Sequence, residues 1–183
     1  MKRTTLLLSI LLLTAGLFTV GLGAANAEIA AEDAFATLKG MAGTWQGTPE
    51  GIGVEAEAEA EAAGQVVHEI QVSAAGTVVM ETMNPGTEHE MINMYHLDGD
   101  DLVLTHYCAG GNQPTMRLDR ETSTAERMVF DFTGGTNLDP ATDHFIHDME
   151  LAIHGDGKVE SAWNSWGDGA KAATMVFHLT RAE

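Results

Sequence analysis

The sequence has a single cysteine, Cys108, and few cations: nine Lys and Arg stand against 27 Asp and Glu, a formal charge of −18. A lone thiol excludes an internal disulfide even in an oxidising compartment, and no cysteine stands directly after the expected cleavage site to carry a lipid anchor. The shortage of Lys and Arg excludes nucleic acid and anionic membrane surfaces as partners, because both are polyanions that need a basic face. The surplus of carboxylates reads first as a soluble surface. No long apolar run follows residue 27, so no membrane contact is expected beyond the leader. Also missing is any helical period that persists past Met41, which excludes a βαβ scheme, since that needs helical crossovers between strands.

What is present begins with Lys2-Arg3, an apolar run from Leu6 to Leu22 and then Ala25-Asn26-Ala27. A basic start, an apolar middle and an Ala-x-Ala site make a secretory signal peptide cut after Ala27, so an exported protein, periplasmic or secreted, is expected. A membrane anchor is the alternative, disfavoured by the small residues that crowd its end. Removal of residues 1–27 leaves 156 of the 183 residues, the length of one domain with one core, and a charge near −20 without Lys2 and Arg3. The expected layout is a signal peptide over 1–27, a short helix and lead-in over 28–42 and one β-barrel domain over 43–183.

Glu28 to Met41 carries Ile29, Phe35, Leu38 and Met41 at three- and four-residue spacings, with Gly40 at a capping position, and predicts a short helix. Glu55 to Ala62 alternates Glu and Ala. Both are good helix formers, but strict period two lines all four Glu on one face of a strand, and an extended, solvated edge is expected there. The rest is a series of short β-type runs: Gln65–Ser73, Thr77–Met83, Glu90–Leu97, Leu102–Cys108, Thr115–Asp119, Arg127–Phe132, His144–His154, Lys158–Trp166 and Ala172–Arg181. With a first strand from Thr44 they make about ten antiparallel strands, an all-β barrel or sandwich.

The sharpest local signal is Asp98-Gly99-Asp100-Asp101 between two such runs, a hairpin turn. Pairing Leu97 with Leu102 sets Tyr95 opposite Leu104, Asn93 opposite His106 and Met91 opposite Cys108, and paired residues share a face. This face holds three leucines and is expected to point inward. In an up-and-down meander successive connections alternate ends. One end receives the tight turns at 74–76, 98–101, 121–126 and 155–157. The other receives the longer polar loops at 84–89, 109–114, 133–143 and 167–171, and long loops gathered at one rim are where binding groups concentrate.

Gly43-Thr44-Trp45 after a short helix, and Arg181 ending the last strand, resemble the Gly-x-Trp opening and closing Arg of lipocalin-like, calycin-type barrels. The runs Pro85-Gly86-Thr87, His89-Glu90-Met91, Tyr95 to Asp100, Thr105 to Cys108, Gly111 to Pro114 and Gly135 to Pro140 are similar to exported bacterial lipocalin-like proteins of unknown function. The resemblance implies a ten-stranded, up-and-down lipocalin-like barrel in an exported protein, with Arg181 against the Trp45 ring at the barrel base. It implies no particular site.

Candidate chemistry follows from strand parity. Phe145, His147, Met149, Leu151 and Ile153 alternate on one face, which directs His147 inward. With His106, Cys108 and His89 near one rim, an inward His/Cys cluster is one reading, with ligand types suited to zinc or copper. Core histidines satisfied by Asn, Thr or water are another, and no compact ligand motif favours the metal. Cys108 beside His106 has the elements of a nucleophile and base but lacks a visible oxyanion arrangement. Met80 with Met83, and Met91 with Met94, lie three apart and so face opposite ways, which argues for core filling over copper binding. A resemblance to heme-binding nitrobindin-like barrels would place a ligand near His178. Met175, Phe177 and Leu179 form the apolar face, however, so His178 is expected outside. Gly110-Gly111-Asn112 has no following helix and is no phosphate cradle. Trp163 and Trp166 are three apart, one expected inside and one outside.

The expected function is therefore binding of a small, partly apolar molecule in the barrel cavity. Tyr95, His106, Cys108 and His147 would line it, and Asn112, Gln113, Asn137 and His144 would orient polar parts of the ligand. No cofactor or metal is assigned, and the oligomeric state is left open. A metal- or Cys/His-dependent enzyme at the rim, and a structural envelope protein with a filled barrel, are the competing readings. The acidic charge disfavours an anionic ligand unless Arg117, Arg120 or Arg127 turns inward.

Overall fold

The structure, a computed structural model, describes residues 28–183; the expected signal peptide lies outside them. A helix, α1 (Ala31–Gly40), precedes ten strands: β1 (Gly43–Ile52), β2 (Val66–Ser73), β3 (Val78–Met83), β4 (Met91–Asp98), β5 (Asp101–Tyr107), β6 (Gln113–Leu118), β7 (Arg127–Thr136), β8 (Phe145–Ile153), β9 (Lys158–Gly167) and β10 (Ala170–Arg181). Every strand pairs antiparallel with its neighbour in sequence, and β1 also pairs with β10, so the sheet closes into an up-and-down barrel. Closure leaves the ten described strands without a free edge.

The hairpin at Asp98–Asp101 has the expected register: Leu97 opposes Leu102, Tyr95 opposes Leu104 and Asn93 opposes His106. Gly99, first of the two central residues, takes φ +62°, a conformation that glycine adopts without a Cβ penalty. The inward face follows. Leu102 and Leu104 are fully buried, and Met116, Met128, Phe130 and Met149 join them in one core. Each such side chain stabilises the fold by about 1.5–3 kcal/mol relative to exposure.

At one end α1 lays Phe35 and Leu38 into the barrel mouth, both in the core. The base is closed by Trp45 and Arg181, which are register partners on β1 and β10. The Trp45 indole N–H donates to the Met41 carbonyl at 2.8 Å, and the Arg181 guanidinium lies 4.7 Å from the Trp45 ring centre. Arg181 also donates to the carbonyls of Ala42 and Gly40, at 2.7 and 3.2 Å. One cation thereby ties the last strand to the end of the helix and to the first strand.

The Glu-Ala stretch is helical, not an extended edge: α2 (Val54–Ala63) joins β1 to β2. Strict alternation of Glu and Ala is ambiguous, because placing Ala at every second residue also places it at i and i+4. Ala56 and Ala60 are buried, while Glu55, Glu57, Glu59 and Glu61 are exposed, so the helix uses the four-residue spacing. The high helix propensity of both residues then prevails over the two-residue period. Contact with β1 is close enough that a Cβ on Gly51 would collide with the Ala56 backbone.

The interior is filled. Near the α1 end a cavity of about 20 Å³ remains, lined by Leu38, Met41, Trp45, Glu81, Tyr95 and Ser161 among others. That is room for about one water molecule.

Candidate functional site

Alternation on four neighbouring strands brings five polar side chains into the barrel interior. Val79, Glu81 and Met83 on β3 face inward, as do His68 on β2, Asn93 and Tyr95 on β4, and His106 on β5. His68 and Asn93 are wholly buried, His106 is 1% exposed and Glu81 is 6% exposed. A carboxylate so placed is tolerated only when its lone pairs are met by donors.

Glu81 meets that condition three times. His68 Nδ1 lies 2.7 Å from Oε1, while Asn93 Nδ2 and the Tyr95 hydroxyl donate to Oε2 at 2.8 and 3.0 Å. Burial pushes the Glu81 pKa up, but the hydrogen bonds and charge contributed by His68, with the bonds from Asn93 and Tyr95, outweigh it and hold the carboxyl below its ordinary value. Tyr95 moves the other way: burial, then the adjacent Glu81 charge, raise its pKa well above 10 and keep the phenol protonated.

The network continues through Asn93. Its amide nitrogen is committed to Glu81, so its carbonyl oxygen faces His106 Nδ1 at 2.7 Å. The oxygen can only accept, and therefore His106 donates from Nδ1. Burial lowers the His106 pKa to about 4, against a smaller opposing effect of Glu81, so the ring is neutral near pH 7. A neutral imidazole protonated at Nδ1 has a bare lone pair at Nε2. His68, donating from Nδ1 to a carboxylate, has the same form when neutral. Both Nε2 atoms are buried without a hydrogen-bond partner. The His106 ring lies 5.3 Å from that of Trp163, and the His68 ring packs edge-on against Phe177 at 4.9 Å.

Among the residues expected at the site, Tyr95 and His106 meet in this network. Cys108 is half-buried, and its Sγ accepts the Gly110 N–H at 3.4 Å; no hydrogen bond joins it to His106 among the described residues. Asn112 is buried and donates to the His144 carbonyl at 2.9 Å, leaving its own Oδ1 unpaired. Gln113 accepts from the Asn137 amide at 2.7 Å and from the Thr136 hydroxyl at 2.9 Å, so Gln113 and Asn137 brace the rim against each other. The His144 side chain is exposed.

His147 is separate from the network. The register of β8 against β9 slips between Ile146 and Asp148, which makes His147 the extra residue of a bulge and interrupts the alternation that directs it inward. Its ring stacks on Trp166 at 4.0 Å, and Nδ1 is 3.0 Å from Asp148. Trp163 is buried in the core and Trp166 half-buried. His178 is directed outward, between Glu50 and Glu160. Among the described residues no group of three or more His, Cys, Asp or Glu side chains is arranged to hold a metal ion.

Sequence parity supplies His106 and Tyr95 but passes over His68, Glu81 and Asn93 as site residues. The available signal was Glu81 between Val79 and Met83 on an apolar alternation, a charge on an inward face that demands partners. Compared with protein-family models, with curated proteins and with solved structures, the chain matches none.

Proposed function

We propose that the protein is an exported lipocalin-like barrel that binds a small, partly apolar molecule. The observation that carries this reading is the pair of buried, unpartnered nitrogens, His68 Nε2 and His106 Nε2. An unsatisfied buried polar atom costs about 1–3 kcal/mol, which a ligand hydrogen bond would offset. Glu81, Asn93 and Tyr95 orient the two imidazoles, while Trp163 and Phe177 supply apolar walls. The ligand would enter between the loops at 84–89, 109–114, 133–143 and 167–171, where Asn112, Gln113, Asn137 and His144 lie. Met83, Met91 and Met175 are the flexible side chains whose rearrangement would make room, since thioether chains repack at low cost.

A second reading, a structural envelope protein whose barrel is filled by its own side chains, draws support from the small residual cavity of about 20 Å³. Native mass spectrometry of the mature protein purified from the periplasm of its producing cells, with elemental analysis of the same sample, separates the two. A retained organic mass, lost in His106→Phe, supports the binding barrel. Stoichiometric metal without an organic ligand favours a metal-dependent site instead. A bare protein that also takes up no hydrophobic or hydrogen-bonding probe favours the filled barrel.

A further inference from the structure

Resting on the binding reading, we infer that the interior selects a ligand presenting N–H or O–H donors, neutral or cationic, and rejects anions. The polarity of the network sets this preference. Its donors are consumed internally: His68 Nδ1, Asn93 Nδ2 and the Tyr95 hydroxyl all point at Glu81, and His106 Nδ1 is given to Asn93. The Trp163 indole N–H is likewise taken by the Ser161 hydroxyl at 3.2 Å. What remains unpaired is His106 Nε2, His68 Nε2 and, nearer the rim, Asn112 Oδ1. The His106 nitrogen and the Asn112 oxygen are acceptors, and so is the His68 nitrogen in the neutral ring. Of the buried side-chain atoms without any partner among the described residues, Trp166 Nε1 is a donor, and it belongs to the stack with His147 and not to the network.

Charge points the same way. Glu81 places a carboxylate at the centre of the network, and none of the buried residues described is Lys or Arg. Arg117, Arg120 and Arg127, the side chains that could have turned inward to meet an anion, are committed outside. Arg117 pairs with Asp98 and Asp101 at 2.9 and 2.6 Å, Arg120 with Glu28 at 2.9 Å, and Arg127 with Glu150 at 2.6 Å. An anion entering this interior would lose its hydration, meet no Lys or Arg among the buried residues described and face the like charge of Glu81.

Three probes of one shape test the assignment: benzamidine, a cationic donor; benzamide, a neutral donor; and benzoate, an anion. Each is titrated at pH 7 into the mature protein labelled with nitrogen-15, with the histidine ring nitrogens followed by NMR. Before any addition, His106 should carry its proton at Nδ1, with Nε2 bare. Benzamidine or benzamide should shift the His106 Nε2 resonance and bind at least about tenfold more tightly than benzoate, a tenfold ratio being the smallest clear discrimination. His106→Phe should abolish that preference. Because this variant also orphans Asn93, the tautomer of the unmodified protein serves as a readout that needs no variant. A His106 proton at Nε2, or benzoate binding as tightly as the donors, overturns the inference while leaving a binding barrel standing. Failure of all three probes to bind overturns the binding reading and this inference with it.

Discussion

Glu81 and His106 are held in one unit by a single amide: Asn93 donates to Glu81 at 2.8 Å and accepts from His106 at 2.7 Å. The carboxylate on β3 thereby fixes the tautomer of an imidazole two strands away. Asn93→Leu should break both links, leave the His106 Nδ1 proton unpaired and deprive Glu81 of a donor. The expected cost is about 2–4 kcal/mol, from two buried groups losing partners. Urea unfolding at pH 7 measures it, and a loss under about 1 kcal/mol would show that the amide is replaceable.

Glu81→Gln keeps the side-chain shape but removes the charge that three donors converge on. One of its new amide protons must then face another donor, so destabilisation of about 3 kcal/mol is expected at pH 7. Since Glu81 is held below its ordinary pKa, its contribution is present above the unfolded carboxyl range near 4.5 and lost as pH falls through the folded value. The variant should therefore lack the steepest part of the acid unfolding expected of the unmodified protein below pH 4.5. A circular-dichroism acid titration of both proteins checks this, and superimposable curves would refute it.

His106 sets a second acid window. Its folded pKa of about 4 lies below its ordinary 6.5, so between these values the unfolded chain takes up a proton that the folded chain refuses. Stability is full above pH 6.5 and declines as pH falls toward 4, by on the order of 3 kcal/mol in total. Denaturant midpoints at pH 7, 5.5 and 4.5 read this slope. His106→Gln should flatten it, and a flat profile in the unmodified protein would contradict the burial of a neutral imidazole.

Arg181→Ala should loosen the base, because it removes the cation over the Trp45 ring and two bonds to the carbonyls of Ala42 and Gly40. About 1–2 kcal/mol is expected, moderated by the solvent exposure of Arg181. Arg181→Lys should recover only part, since an ammonium lacks the planar fork that reaches both carbonyls. Quenching of Trp45 fluorescence in the two variants reports the same contact, and full recovery by Lys would argue for charge alone.

His178→Ala should leave probe binding unchanged, because the imidazole faces outward between Glu50 and Glu160. Its stability cost should fall within about 1 kcal/mol, as for other exposed polar contacts. A hemin-dependent Soret band lost in this variant would place His178 in a ligand site after all.

Much of this barrel was legible in the chain before it folded. The Asp-Gly turn fixes the register of β4 and β5, because a two-residue loop admits one pairing; that register puts Tyr95 and His106 on one face, and the leucines they share it with turn it toward the core. The spacing of turn residues sets the strand count, whereas the Trp45–Arg181 clasp was expected only from the resemblance of the chain's two ends to those of lipocalin-like barrels. What the alternation could not decide is where it breaks or says two things at once. The bulge at His147 moves a side chain off its expected face, and a Glu-Ala repeat satisfies both period two and period four. Only packing chooses between them, since Ala56 and Ala60 must meet β1. Nor does local pattern reveal that His68, Glu81, Asn93 and His106 form one network. Parity assigns a face, whereas barrel closure and the offset between strands set distances, and these arise from the whole sheet at once.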